Sequence, residues 1–176
     1  QTSAMCAGGA PNSASCEQYD GTSWAEVGDL ATGRDGLVGN QNSTSNASGL
    51  VAGGDPAVTN TEEWNANIAI GTWVTGGNTN TTRSDMASAG TQTAALAAGG
   101  RVSAPADTDA SEEWNGSSWS EGNELNTDRY AISNRGVGTQ TAALASGGNE
   151  KDTPGVTAVN EEYNGTSWTE VTNIPT

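Results

Sequence analysis

Three adjacent glutamate pairs, Glu62-Glu63, Glu112-Glu113 and Glu161-Glu162, are the residues whose type and spacing suggest chemistry first. Two carboxylates at one site can divide acid and base work between them. Adjacent residues of a strand, however, point to opposite faces, so in strands these pairs do not converge. One member of each pair is expected in solvent and the other against an arginine of a neighbouring unit. Arg34, Arg83 and Arg129 each follow a tryptophan by ten residues. That regularity reads as ion pairing at unit junctions; a ring of anion-binding guanidinium groups is the functional alternative. Asp107 and Asp109, in APADTDA, could offer oxygens to Ca2+, but the denser ligand spacing of a calcium loop is missing, and a solvated loop is the expectation. The chain has no His, so the commonest general base and metal ligand is lacking. No GxSxG, no Cys-His pair and no phosphate-cradling loop occurs. No catalytic residue, metal or cofactor is expected.

Asn42, Asn46, Asn80, Asn115 and Asn164 open Asn-x-Ser/Thr sequons and are candidate glycosylation sites. Five is close to the roughly four that this Asn, Ser and Thr content gives by chance. The stretch NTNTT, from Asn78 to Thr82, is read as an exposed loop open to O-linked sugar.

The charge balance removes further functions. Six Lys plus Arg against 21 Asp plus Glu give a net charge of -15. A surface of that sign repels nucleic acid, whose binding needs clustered cations. No run of roughly 20 apolar residues is present to insert into a membrane. No leader is apparent, although the chain does not open on Met, as it would not if a leader had been removed.

Few large aliphatics and high net charge are the signature of disorder. A repeat overrides it. The glycine pairs Gly8-Gly9, Gly53-Gly54, Gly99-Gly100 and Gly147-Gly148 stand 45, 46 and 48 residues apart. Each is followed by an acidic-aromatic element and then a second ring: Tyr19 and Trp24, Trp64 and Trp73, Trp114 and Trp119, Tyr163 and Trp168. The second unit is longer between its rings, around NANIAI. The words GTQTAAL occur twice, at Gly90–Leu96 and Gly138–Leu144.

Each unit divides into four short pieces rich in Thr, Val, Ala and Trp, separated by Gly, Asn, Asp and Ser. That pattern predicts strands joined by turns. Asp20-Gly21, Asn115-Gly116 and Asn164-Gly165 lie between the two rings of their units and predict tight type I′ hairpins. Cys6 and Cys16 then fall on neighbouring strands of the first unit and are expected to form a disulfide, which implies an oxidising compartment. The eight rings are expected to pack between units. Each would remove roughly 150–250 Å² from water, about 4–6 kcal/mol as an upper bound.

EQYDGTSW, EEWNGSSW and EEYNGTSW, with the preceding double glycine and the following arginine, resemble the Kelch repeat. Trp64 and Trp114 replace the usual Tyr, and the second unit has lost the Asn-Gly turn. The resemblance covers essentially the whole chain. It implies an all-β β-propeller of four-stranded antiparallel blades, here a single domain with blades at about 1–33, 34–82, 83–128 and 129–176. The first blade would lack its inner strand, because no arginine-led strand precedes Gly8. The missing strand is expected from beyond Thr176, in a longer array, or from another chain. Kelch-type propellers include a copper radical oxidase, whose His ligands this chain lacks; sialidase-like propellers need an arginine cluster, whereas these arginines recur at repeat positions. The expectation is therefore a non-catalytic structural or interaction propeller; its near-identical, acidic, Gly/Thr/Asn-rich repeats resemble those of fibre, tail and surface proteins of bacteria and their phages, which implies an extracellular, cell-surface or virion appendage. Its partners would be copies of itself or flanking repeats. A glycan-binding module and an intracellular adaptor are the alternatives.

Overall fold

The computed structural model describes residues 3–39, 46–66, 71–103, 106–132, 137–150 and 155–173. Among them the chain forms seventeen strands and no helix, as its short apolar runs between turn formers dictate. The first sheet has three strands, β1 (Ala4–Ala7), β2 (Cys16–Tyr19) and β3 (Trp24–Glu26). The second has four, β4 (Val38–Gly39), β5 (Ser48–Ala52), β6 (Thr61–Asn65) and β7 (Thr72–Thr75). In the third, β8 (Ala87–Thr91) and β9 (Ala94–Ala98) are followed by a separate ribbon, β10 (Arg101–Ser103) and β11 (Ala106–Asp107), before β12 (Ser111–Trp114) and β13 (Trp119–Glu121) complete the sheet. The fourth is β14 (Gly138–Thr139), β15 (Ala142–Ser146), β16 (Asn160–Tyr163) and β17 (Trp168–Val171). Within each of these four sheets, successive strands pair antiparallel.

The sheets pack face to face in chain order, with one apolar cluster at each junction. Cys16, Leu30, Val51, Trp64 and Trp73 join the first sheet to the second. Leu50, Ala52, Ala97, Trp114 and Trp119 join the second to the third. Leu96, Ala98, Ala145, Tyr163 and Trp168 join the third to the fourth. Alternation of side chains along each strand explains how one short strand serves two clusters: Val51 faces backward and Leu50 and Ala52 face forward. Small residues on β9 and β15 line the junctions between the rings and larger aliphatic side chains such as Leu50, Met86, Leu125 and Ile132.

Two sequence expectations are corrected here. The ring hairpins are not two-residue type I′ turns. Four residues separate Tyr19 from Trp24, and only the glycine has positive φ, at 101°, 93° and 89° for Gly21, Gly116 and Gly165. The residue before it acts through its side chain instead. Asp20 Oδ1 accepts from the Thr22 and Ser23 amides at 2.8 and 2.9 Å; Asn115 and Asn164 make the same pair of bonds. The side-chain oxygen thus closes the turn as an Asx motif.

Nor are Cys6 and Cys16 bridged; both thiols are free. Cys6 pairs with Glu17, and Cys16 with Ala7. The two cysteines are one register step apart and so lie on opposite faces of the ribbon. Cys6 is exposed and Cys16 buried.

The double glycines couple one unit to the next. The amides of Gly9, Gly54 and Gly100 donate to the carbonyls of Arg34, Arg83 and Arg129, at 3.1, 3.3 and 2.8 Å. Gly99 shows why the pair must be glycine: its φ is +66°, and a Cβ there would lie 2.8 Å from the Arg129 backbone oxygen. Gly99→Ala is expected to cost about 2–3 kcal/mol, from left-handed strain plus the collision. Urea unfolding measures this, and a loss below about 0.5 kcal/mol would contradict the geometry.

Candidate functional site

The chemistry-bearing residues of the repeat gather at the sheet junctions. In each of the last three units the arginine reaches back into its own sheet and meets the first glutamate of the pair. Arg34–Glu62 and Arg83–Glu112 are 2.8 Å ion pairs and Arg129–Glu161 a 3.0 Å one, all essentially without solvent exposure. The partner is thus in the same unit, not in a neighbour. The same carboxylate nevertheless ties two units together. It accepts amides of the segment arriving from the preceding sheet: Ala31 onto Glu62, Asn80 and Thr81 onto Glu112, Asn126 onto Glu161. Burial pulls the Arg83 and Arg129 guanidinium groups below their ordinary value, and Glu112 and Glu161 act against that shift. Fully enclosed, these arginines do not form an accessible anion-binding ring.

The second glutamate of each pair takes the opposite face, as alternation requires. Only Glu162 is exposed; Glu63 and Glu113 are half-buried. Burial raises the Glu63 carboxyl above its usual range. Glu113 accepts the Tyr163 hydroxyl at 2.5 Å across the junction. Burial first, then this anionic partner, pushes the Tyr163 phenol up to about 12 from 10.0. Because the folded state holds this proton more tightly than the unfolded chain, Tyr163 contributes stability that is complete below pH 10 and is lost as the pH rises towards 12. Ultraviolet titration should show a late phenol belonging to Tyr163. Tyr163→Phe should abolish it and reduce the alkaline loss of stability; an unchanged late group would refute the assignment.

The rings pair directly across their hairpins, Tyr19 with Trp24, Trp64 with Trp73, Trp114 with Trp119 and Tyr163 with Trp168. Their centroids are 5.0–5.7 Å apart, in tilted arrangements that suit the aromatic quadrupole. The second ring of one unit reaches the preceding sheet. Trp73 Nε1 donates to Cys16 Sγ at 3.1 Å and Trp119 Nε1 to Thr61 Oγ1 at 3.0 Å. Burial also raises the Cys16 thiol, with the Trp73 bond acting the other way; this is a structural cysteine rather than a reactive one. At the third junction Trp168 Nε1 and Ser111 Oγ are both buried without a hydrogen-bond partner.

The eight rings were expected to be buried alike, and two are not. Trp73, Trp119 and Trp168 are 9, 6 and 6% exposed, whereas Trp24 is 56% exposed and Tyr19 half-buried. The cause is position: the second ring packs on the preceding sheet, and the first sheet has none among the described residues. On the same face Cys6 is exposed, where its counterparts Val51, Ala97 and Ala145 are buried.

Sequence reasoning missed one set of residues. Gln92 Nε2 donates to the Trp64 carbonyl at 3.1 Å, and Gln140 Nε2 to that of Trp114 at 2.6 Å. The backbone oxygen of Gln92 accepts Trp114 Nε1 at 2.8 Å. Asn46 plays the same double part, towards Tyr19 and Trp64. The signal was the repeated GTQTAAL, whose one long polar residue is this glutamine. The β10–β11 ribbon was also missed; it holds Asp107 in a strand and brings Arg101 3.6 Å over the Tyr130 ring. No cluster of three or more His, Cys, Asp or Glu that could hold a metal occurs among the described residues.

Of the sequon residues, Asn80, Asn115 and Asn164 are exposed and Asn46 is half-buried; Asn42 lies outside the described residues. No helix among the described residues is long and apolar enough to cross a membrane.

These features define an all-β chain of serially packed antiparallel sheets. No family model and no curated protein matches it. Among solved structures it is similar to the structure of YjhT, with a TM-score of 0.68 and 13% sequence identity over 90% of this chain and 52% of that one. The chain thus spans about half of YjhT, and at this identity the likeness shows the fold alone.

Proposed function

We propose that the chain is a non-catalytic β-propeller module of Kelch-like blades, with a structural or interaction role on an extracellular or virion appendage. One observation carries the non-catalytic part. The residues best suited to chemistry, the three Arg–Glu pairs, are enclosed at the junctions and occupied with holding one unit to the next. Serial packing of similar sheets supports the propeller reading, since each blade of a propeller contacts its neighbours in this way. The extracellular or virion placement rests on the resemblance of these acidic, Gly/Thr/Asn-rich repeats to those of fibre, tail and surface proteins; with the cysteines free, no disulfide supports it.

The exposed Trp24 beside Tyr19 favours a second reading, a glycan-binding face on which a sugar ring stacks. Immunogold labelling of the native source with an antibody to the chain tests the placement: label on a surface appendage or particle fibre is expected, and label confined to the cytosol overturns it. A glycan array decides the second reading. Binding that Trp24→Ala abolishes would replace the structural role with a lectin-like one.

A further inference from the structure

We propose that the outer face of the first sheet and the outer face of the fourth recognise each other, so that a second copy of this chain docks head to tail. This rests on the structural reading above and names its partner. The internal junctions supply the template. Each pairs an inserting face with a receiving face. The inserting face carries the two cross-strand rings, as Tyr163 and Trp168 do in the fourth sheet. The receiving face belongs to the preceding sheet and carries an aliphatic residue on its second strand and a polar residue two positions into its third, as Leu96 and Glu113 do.

Repeat register extends the template to both ends. Tyr19 and Trp24 stand in the first sheet where Tyr163 and Trp168 stand in the fourth. Leu144 and Glu162 stand in the fourth where Leu96 and Glu113 stand in the third. The first and fourth sheets therefore carry one inserting and one receiving face of the kinds already joined inside the chain. Their exposure agrees: Trp24 is 56% exposed, Glu162 is exposed, and Leu144 is half-buried where Leu50 and Leu96 are buried.

The closest internal match fixes the contacts. Tyr163 gives its hydroxyl to Glu113; Tyr19 would give its own to Glu162 of a neighbouring copy, while Trp24 covers that copy's Leu144. Such a contact joins two different patches and is heterologous. It generates a ring if the rotation closes and a filament if it does not.

Sedimentation velocity on the full chain tests this, at about 5 to 500 µM and with salt added to screen the net charge of -15. The wild type should form concentration-dependent oligomers. Trp24→Arg and Glu162→Lys alter exposed side chains at opposite ends, and each alone should weaken association by about tenfold or more. Mixed one to one, they should form a discrete dimer, because each retains the face that the other has lost. A monomeric wild type across the whole range overturns the proposal, as does a mixture that stays monomeric while both variants keep the wild-type circular dichroism. Oligomers unaffected by either substitution overturn it too. None of these results bears on the immunogold outcome, so the two readings fail separately.

Discussion

Arg83→Met should remove about 3–5 kcal/mol of stability, a large share of the 5–15 kcal/mol typical of a folded domain. The guanidinium is wholly enclosed, donates to Glu112 at 2.8 Å and to the Gly99 carbonyl at 3.4 Å, and also reaches the Ala110 carbonyl. The larger part of the loss comes from Glu112, which would keep a buried charge with only the Asn80 and Thr81 amides to stabilise it. Two consequences separate this account from a simple loss of packing. The variant should regain stability as the pH falls, because an unpaired buried carboxyl has a raised pKa and protonation removes the unfavourable charge. A second substitution, Glu112→Gln, should recover part of the loss at neutral pH, since its amide oxygen still accepts those two N–H groups. Urea unfolding of the wild type, the single and the double variant measures both effects. A double variant less stable than Arg83→Met would contradict this reading.

Trp114→Ala should cost a further 3–5 kcal/mol or so in its own right. This side chain has no exposed surface and lies between the second and third sheets against Leu50 and Ala52. Its ring lies tilted against Trp119, with centroids 5.4 Å apart, and it donates to the Gln92 carbonyl. Removing it leaves both a cavity and an orphaned acceptor. Trp24→Ala makes the matched control. The same residue type is deleted from the same kind of hairpin, but from a face with no sheet against it among the described residues, and the loss should stay below about 1 kcal/mol. Equal losses in the two variants would mean that the rings act within their hairpins rather than between sheets.

Much of the scaffold is legible in the spacing of a few residue types. Double glycines, paired rings and arginines each recur once per unit because each makes the same contact once per junction. The three-stranded first sheet follows from the same spacing. What could not be read is anything that depends on strand register. Cys6 and Cys16 lie on adjacent strands, yet a single step of pairing sends them to opposite faces. The glutamates do take opposite faces, but the second member reaches solvent only at Glu162, because that face is covered by the next sheet at the other two junctions; the arginine was assigned to the wrong unit, because a long side chain can reach either sheet at a junction. The exposed Trp24 shares its Gly-Thr-Ser-Trp context with the buried Trp168. Its difference lies in what stands in front of it, which no local motif encodes. Gln92 and Gln140 escaped notice because an amide side chain carries no distinctive chemistry until its partner is seen.

Among the described residues the apolar clusters join sheets that are neighbours in the chain, through contacts of the same kind. Excision of residues 83–128 would therefore present the forward face of the second sheet to the backward face of the fourth, and Thr61 would offer Trp168 the hydroxyl contact that it does not make with Ser111. Genes encoding such an array can gain or lose whole modules by unequal recombination between near-identical stretches such as the two copies of GTQTAAL, and the protein length can drift in steps of one unit without leaving a mismatched seam.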